Sequence, residues 1–503
     1  MSTLIDSVFS KLNSNLSFNI NKIKDGNKEE AKIEKDKMIQ ILKTSPEILA
    51  EFENAYRKEV INKNNSSFDD SKNAKQMASV MNNEPPENTI EIINRIVNEL
   101  LAETFVYKYD GVDGIIVNEK KLLPDHQMVT NDELLAFPMD IRPELAGNLI
   151  KRDLSDREDG WKLLINYYLN SKTNPDLQKR KKAYNLFRQG LDILDLSPVI
   201  YAMIDTNPNS MGHWLPQLID AVKCQDYFKV PKTTLIKVPL PLLQLTRLEY
   251  QSHTPTTLKI VDEYCYKVFG LDESKTYFIR TGTASLKYDF RNVKVSGAKE
   301  VHELGEYLLY NHFRGIEMAG PLSSPSIYGM QTTTEWAVRE FIEPKEKLPE
   351  IYFGLPLRLE MRIFIDADEK KVLGIAPYWD PKTMKHRFSM DNDFQNPDKI
   401  HDYAVYSAYE STLTKRYEEK KELVIQKVSE LLPHLNLSGQ WSLDVMYNGI
   451  NDDGSDDVYL IDMALAESSA LSEYVPNGLL YKREENWIPE YLYIENTKEG
   501  EQE

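Results

Sequence analysis

Arg358, Glu360 and Arg362 stand two residues apart in LPLRLEMRIFI, whose other positions are Leu, Pro, Met, Ile and Phe. In an extended chain, residues i, i+2 and i+4 project from one face, so this segment predicts a strand with three charges on one side. Such a face suits a bound anion or metal better than a packing surface. Arg362, with its planar fork of donors, is suited to grip a terminal phosphate, and Glu360 is expected to hold Arg362 or Arg358 in place. The competing reading is a surface strand with a ladder of cross-strand ion pairs, each worth about 0.2–1 kcal/mol. The segment runs through DADEKK into VLGIAPYWD and so reads as one arm of a hairpin. The other arm brings Asp380, Lys385, His386 and Arg387 beyond it.

Two later strand-like runs each contain one acid, Asp444 in WSLDVMYN and Asp462 in VYLIDMAL. A carboxylate set among apolar residues is costly unless something positive meets it. Either acid could cap a strand end. As a pair on the last two strands they can stand side by side and coordinate Mg²⁺, which takes carboxylate and phosphate oxygens at about 2.1 Å. The NGINDDGSDD between them reads as a solvated hairpin loop, and its spacing does not fit a calcium loop. Upstream, YFIRTGTASLKYDFRNVKV sets Arg280 and Lys287 seven residues apart around a turn containing Gly282 and Ser285. A strand, a small-residue turn and a second strand there would let backbone N–H groups and hydroxyls approach phosphates while the two cations neutralise them. The alternative is an exposed hairpin. EWAVREFIEP ends in Glu340, Phe341, Ile342 and Glu343 before a proline. That end can offer main-chain hydrogen bonds to an adenine and a carboxylate to a ribose, or it is a plain sheet strand.

The elements that would hold these residues are of mixed order, which predicts an α+β fold with helices on one face of its sheets. Residues 1–85, rich in Lys, Glu, Asn and Ser, read as a charged segment, helical in pieces and flexible between them. Residues 86–205 read as an α-helical domain, from NTIEIINRIVNELLAETF through DREDGWKLLINYYLN to PDLQKRKKAYNLFRQGLDIL. From 206 to 490, strands alternate with helices such as TPTTLKIVDEYCYKVFG, which closes on Gly270, and the long LTKRYEEKKELVIQKVSELLPHL. Residues 491–503 form an acidic tail expected to be disordered.

The 503 residues carry 61 Lys and Arg against 79 Asp and Glu, a formal charge of −18, which argues against a general coat for nucleic acid. Cys224 and Cys265 are too few and too far apart for a disulfide framework or zinc site, and a reducing cytoplasm is the expected compartment. The N-terminal MSTLIDSVFSKLN lacks the pattern of a signal peptide. No apolar run approaches the roughly 20 residues needed to span a bilayer, so a soluble protein without a membrane partner is expected.

Taken together, the segments resemble the ATP-grasp superfamily, and within it the divergent branch typified by the cell-division-cycle chaperone that assembles a translation initiation factor. Arg280, Ser285, Lys287 and Asp289 fall on the spacing of that branch's cation strand and Ser-Pro-Lys-Asp stretch, with Leu286 in place of proline. Glu360-Met361-Arg362-Ile363-Phe364 is similar to its Glu-Phe-Arg-Cys-Phe strand, and Leu443-Asp444-Val445 to its Phe-Asp-Val strand. Leu460-Ile461-Asp462-Met463-Ala464 is similar to its Leu-Ile-Asp-Phe-Asn strand, with Ala464 where the family has a metal-binding asparagine. The resemblance implies two α+β subdomains clasping ATP, preceded here by an α-helical extension. It places adenine against Glu340 to Ile342, Arg280 and Lys287 over the phosphates, and Mg²⁺ on Asp444 and Asp462, with Glu467 or a water replacing the asparagine. It implies a carboxylate-amine ligase working through an acyl phosphate, with ATP, a carboxylate and an amine as substrates, a protein or peptide among the candidates. Arg362, Lys287 and Glu360 would then serve catalysis, and no Cys/His or Ser/His nucleophile pattern competes. The rival reading is an ATP-binding assembly chaperone or interaction protein with little or no catalysis. A kinase-like transferase and a purely structural helical protein are further readings.

Overall fold

The computed structural model describes residues 90–118, 207–247, 253–319, 333–387 and 397–480, with scattered positions in 29–40, 170–186 and 201–205. Helix α1 (Ile90–Glu103) leads directly into a hairpin of β1 (Phe105–Tyr109) and β2 (Gly114–Asn118). Helix α2 (Met211–Val222) precedes the short β3 (Phe228–Lys229) and β4 (Thr233–Lys237). Helices α3 (Leu240–Leu245) and α4 (Pro255–Phe269) then lead to β5 (Thr276–Thr281) and β6 (Lys294–Ser296). Helix α4 has the boundaries its sequence dictates. The Thr254 hydroxyl accepts the Thr257 N–H, Pro255 opens the first turn, and Gly270 closes the last at φ 58°, the left-handed cap that only glycine adopts without cost. Helices α5 (Gly297–His302) and α6 (Leu304–Ala319) precede β7 (Glu335–Glu340).

All of these strands but β3 form an antiparallel sheet ordered β2-β1-β4-β7-β5-β6. Its central strands are buried on both faces. Ile236, Trp336 and Val338 point into a core filled by α1, α4 and α6, while Leu235 and Ala337 point into a second core against α2.

The remaining chain forms a small pair, β8 (Glu350–Ile351) and β9 (Leu355–Pro356), and then the hairpin β10 (Leu359–Asp366) and β11 (Lys371–Pro377). Helices α7 (Pro381–Arg387) and α8 (Pro397–Leu431) lead to β12 (Gln440–Ile450) and β13 (Asp456–Leu465). The second sheet is ordered β11-β10-β12-β13-β3, antiparallel except that β3 runs parallel to β13. Leu359, Met361, Ile363, Leu443 and Val445 on its inner face join the second core, which α8 completes with Val424, Val428 and Leu431. Each such side chain contributes about 1.5–3 kcal/mol by leaving water.

The expected α+β class is what the chain adopts, and the hairpin at β10 and β11 lies where alternation placed it. Three expectations are corrected. Helices, expected on one face of the sheets, cover both faces of the large sheet, α1, α4 and α6 on one and α2 on the other. Residues 105–118, read as part of a helical domain, form β1 and β2, and β1 pairs in register with β4 of the large sheet. The stretch LKYDFRNVKV, read as one strand, is a 3₁₀ turn at Lys287–Asn292 followed by the short β6. Leu286 sits at φ 48°, ψ 27°, which ends the extended run, and the Asp289 carboxylate accepts hydrogen bonds from Arg291 and Asn292 at 2.8 Å each. Most of DREDGWKLLINYYLN, of PDLQKRKKAYNLFRQGLDIL and of segment 1–85, and all of the acidic tail, lie outside the described residues, while positions 178–180, 182, 183 and 186 are helical as expected. Among the described residues, no helix is long and apolar enough to cross a membrane.

Candidate functional site

Alternation along β10 separates two environments. Met361 and Ile363 enter the core, and the intervening Glu360 and Arg362, with Arg358 just before the strand, line a cleft that is open to solvent. The opposite wall comes from the large sheet through Phe278 and Arg280 of β5, Ser285 and Lys287 after it, and Arg339 to Ile342 at the end of β7. Asp444 on β12 and Asp462 on β13 close the floor, directly opposite each other in the ladder. The pairing slips just beyond this point, so that Val445 faces Leu460 and Ile461 is left over. The bulge keeps Leu460 in the core while both Ile461 and Asp462 line the cleft.

Five cations and four carboxylates line this one cleft, in a chain of net charge −18. Three of the cations are each met by an acid. Arg362 donates from Nε and Nη2 to the two oxygens of Asp444, both at 2.8 Å, the fork-to-fork geometry of a strong pair. Arg280 Nη1 lies 2.9 Å from Asp462 Oδ1, and Lys287 Nζ lies 2.7 Å from Glu360 Oε2. Glu360, expected to hold Arg362 or Arg358, thus holds Lys287 across the cleft instead, because Arg362 faces Asp444 in the β10–β12 ladder. Burial disfavours the charge on Lys287 and Arg362, and the facing carboxylates more than reverse this, so both proton affinities move upward. The ring of Tyr378 lies under both, 3.6 Å from Lys287 Nζ and 5.1 Å from the Arg362 guanidinium.

Arg339 and Arg358 differ. Arg339 donates to the Ile461 carbonyl at 2.6 Å and to the Thr233 hydroxyl at 3.1 Å, and its Nη2 finds no hydrogen-bond acceptor. Arg358 donates to the Ile342 carbonyl and to the Met446 sulfur at 3.2 Å, and its Nε finds none. Neither makes a salt bridge among the described residues, although they are only 3% and 6% exposed. Burial, with the neighbouring Arg280 cation, pushes the Arg339 guanidinium down to about 9. Burial likewise pushes Arg358 down to about 10, against the pull of Glu360 and Glu343. A guanidinium keeps its proton in a protein, so this direction reports charge that the protein itself leaves poorly compensated. Beside them the cleft turns apolar. Phe278, Phe290 and Phe341 lie with ring centroids about 6 Å apart, the spacing of tilted aromatic neighbours, and Pro356 and Met446 complete this end.

Arg280, Ser285, Lys287, Glu340, Phe341, Ile342, Arg358, Glu360, Arg362, Asp444 and Asp462, all singled out in the sequence, line one cleft. Gly282, Glu343 and Glu467 do not. Gly282 is packed against the wall, where an added Cβ would meet the Glu335 side chain at 2.6 Å, so close packing, not phosphate approach, explains the glycine. Glu343 is exposed beyond the apolar end, its carbonyl accepting from Asn448. Glu467 is exposed in the turn after β13. Among the described residues, no three His, Cys, Asp or Glu side chains gather closely enough to hold a metal, which corrects the trio Asp444, Asp462 and Glu467. The facing Asp444 and Asp462 do fit the way Mg²⁺ is held by one or two carboxylates with substrate phosphates supplying further oxygens. The main-chain N–H groups of Glu340 and Phe341, expected to be open to an adenine, are spent on Lys232 and Thr276 carbonyls at 2.9 and 3.1 Å. Sequence reasoning missed Arg339 and Tyr378. A lone arginine inside the apolar EWAVREFI was the available signal for the first.

No protein-family model matches this chain, and no curated protein matches it. The solved structure of C-terminally truncated Cdc123 from Schizosaccharomyces pombe is similar over 56% of this chain and 88% of its own, at 12% identity and a TM-score of 0.29. That likeness is too slight to bear on how the cleft is read.

Proposed function

We propose that the cleft binds ATP, in an ATP-grasp arrangement, and that the protein is an ATP-dependent carboxylate-amine ligase. The observation that carries the reading is a single cleft, walled by both sheets and lined by five cations, with two facing carboxylates on its floor and three phenylalanines at its other end. A triphosphate with an aromatic base has that same division. The motif resemblance at Arg280 to Asp289, Glu360 to Phe364, Asp444 and Asp462 supports it further. Mg²⁺ on Asp444 and Asp462 would neutralise charge on the transferring phosphoryl group. The protein's own part is positioning. Lys287 and Arg362, steadied by Glu360 and the Tyr378 ring, hold phosphate oxygens, while the apolar end excludes water from the base. The substrate carboxylate oxygen attacks the γ phosphorus as its bond to ADP breaks. An amine then attacks the acyl carbon and phosphate leaves. Such a reaction depends on charge stabilisation and alignment more than on covalent help.

Binding without turnover, as in an assembly chaperone or interaction protein, is the second reading. It is favoured by Ala464 in place of a third metal ligand and by the arginine already seated on each aspartate. The two separate by product. Purified protein with MgATP, carboxylate pools and amines should release ADP, and Lys287→Ala or Asp444→Asn should cut that release at least a hundredfold. ATP binding with no ADP above the variants' level would give the second reading, and wild type lacking both binding and release would end both.

A further inference from the structure

Pairing divides the cations of the cleft into two sets. Arg280, Lys287 and Arg362 are each occupied by a carboxylate at 2.7–2.9 Å. For the two arginines to turn fully to an anion, the pair must open and its acid must find another partner, whereas Lys287 keeps two further N–H donors beside its bond to Glu360. Arg339 and Arg358 have no such pair to break. Each is nearly sealed from water, lines the same cleft and retains one guanidinium nitrogen without an acceptor. Their remaining donors are fixed on neutral acceptors, the Ile461 carbonyl and Thr233 hydroxyl for one, the Ile342 carbonyl and Met446 sulfur for the other. They are therefore charged and only partly compensated, Arg339 by Asp462 and Glu340 and Arg358 by Glu360 and Glu343 at a distance, so an arriving anion gains from meeting them, since a buried charge without a paired acid is costly. Arg358 also stands 5.8 Å from the Phe341 ring, and so joins the cationic part to the aromatic end.

Resting on the nucleotide reading above, we infer that Arg339 and Arg358 form a metal-independent anchor that seats the polyphosphate first. Arg280 and Arg362 engage only in a second stage, when a divalent cation takes over Asp462 and Asp444, while Lys287 stays on Glu360 and turns its remaining N–H groups to the phosphates. Metal then raises nucleotide affinity by freeing guanidinium groups as well as by its own charge, and nucleotide raises metal affinity by the same factor.

The test is calorimetric titration of ATP into the full chain, in EDTA and in Mg²⁺, for wild type, Arg339→Met and Arg358→Met. The melting temperature of each unliganded protein serves as the folding check. Wild type is expected to bind in EDTA and at least tenfold more tightly in Mg²⁺. Each variant should lose about ten- to a hundredfold of the affinity in EDTA, the span expected for charge-assisted hydrogen bonds. Wild type that binds MgATP but shows no binding in EDTA overturns the anchor while leaving the nucleotide site standing. So do folded variants that bind ATP in EDTA as wild type does. Should either variant fail to fold, Arg339→Lys or Arg358→Lys takes its place, with a loss in EDTA still expected because the guanidinium fork is gone. Binding in neither condition removes the nucleotide reading and the anchor together.

Discussion

Tyr378 has no partner of opposite charge to recommend it, yet it touches the two cations on which phosphate positioning is proposed to depend. Its ring face lies 3.6 Å from Lys287 Nζ and 5.1 Å from the Arg362 guanidinium. Each such contact is worth about 0.5–2 kcal/mol, more as water is excluded. Tyr378→Leu is therefore expected to weaken MgATP binding about five- to thirtyfold, and Tyr378→Phe to bind within about twofold of wild type. Equal losses in the two variants would assign the role to the hydroxyl instead, and no loss in either would remove it. At this scale the sequence was informative where alternation alone decides a side chain's direction. Arg358, Glu360 and Arg362 were read correctly as one face because the strand is regular. Which acid meets which cation was not legible, since Glu360–Lys287 and Arg280–Asp462 join residues 73 and 182 positions apart. Arg339 was passed over because its apolar neighbours made a plain core strand the simpler account.

Among the elements, β7 links the cleft to the core behind it. Glu335, at its start, is buried and accepts the Gly212 N–H at the first turn of α2, where the helix dipole favours an anion. Burial nevertheless pushes its carboxyl up from 4.5 to about 7. Between those values the native state holds a proton that the unfolded chain has released, so stability falls as pH rises across that window and levels off above it. The contribution is on the order of 3 kcal/mol. Denaturation midpoints taken from pH 5 to pH 8 should fall less steeply in Glu335→Gln than in wild type, and parallel curves would contradict this. Gly305, in α6, is a second element-level constraint. An added Cβ would meet the Val261 carbonyl carbon and oxygen of α4 at 2.7 Å, and backbone cannot yield as a side-chain tip can. Gly305→Ala should cost about 1–3 kcal/mol of stability through the forced separation of α4 and α6, less the roughly 1 kcal/mol that alanine returns as the better helix former. Urea unfolding reads the difference, and an unchanged or raised midpoint would show that the helices part freely. Elements with local punctuation, such as α4 between Thr254 and Gly270, were legible in the sequence. The turn at Leu286 and the bulge at Ile461 were not, because a left-handed leucine and a one-residue slip carry no compositional mark.

For the molecule as a whole, the class was readable from the alternation of strand-like and helix-like segments, whereas the assembly was not. The hairpin at residues 105–118 joins the large sheet through a pairing with Thr233–Lys237 more than a hundred residues away, and no local pattern announces such a partner. The same long-range closure makes the cleft, since its walls come from β5 and β7 on one side and from β10, β12 and β13 on the other. The account therefore stands on one nucleotide lying between the two sheets. Photolabelling of the full chain with azido-ATP, mapped by peptide sequencing with unlabelled ATP as competitor, tests this most directly. Competable label in the segments around Phe341 or Arg358 is the predicted result. Label that ATP does not displace, or that falls only on surfaces away from the cleft, would contradict it.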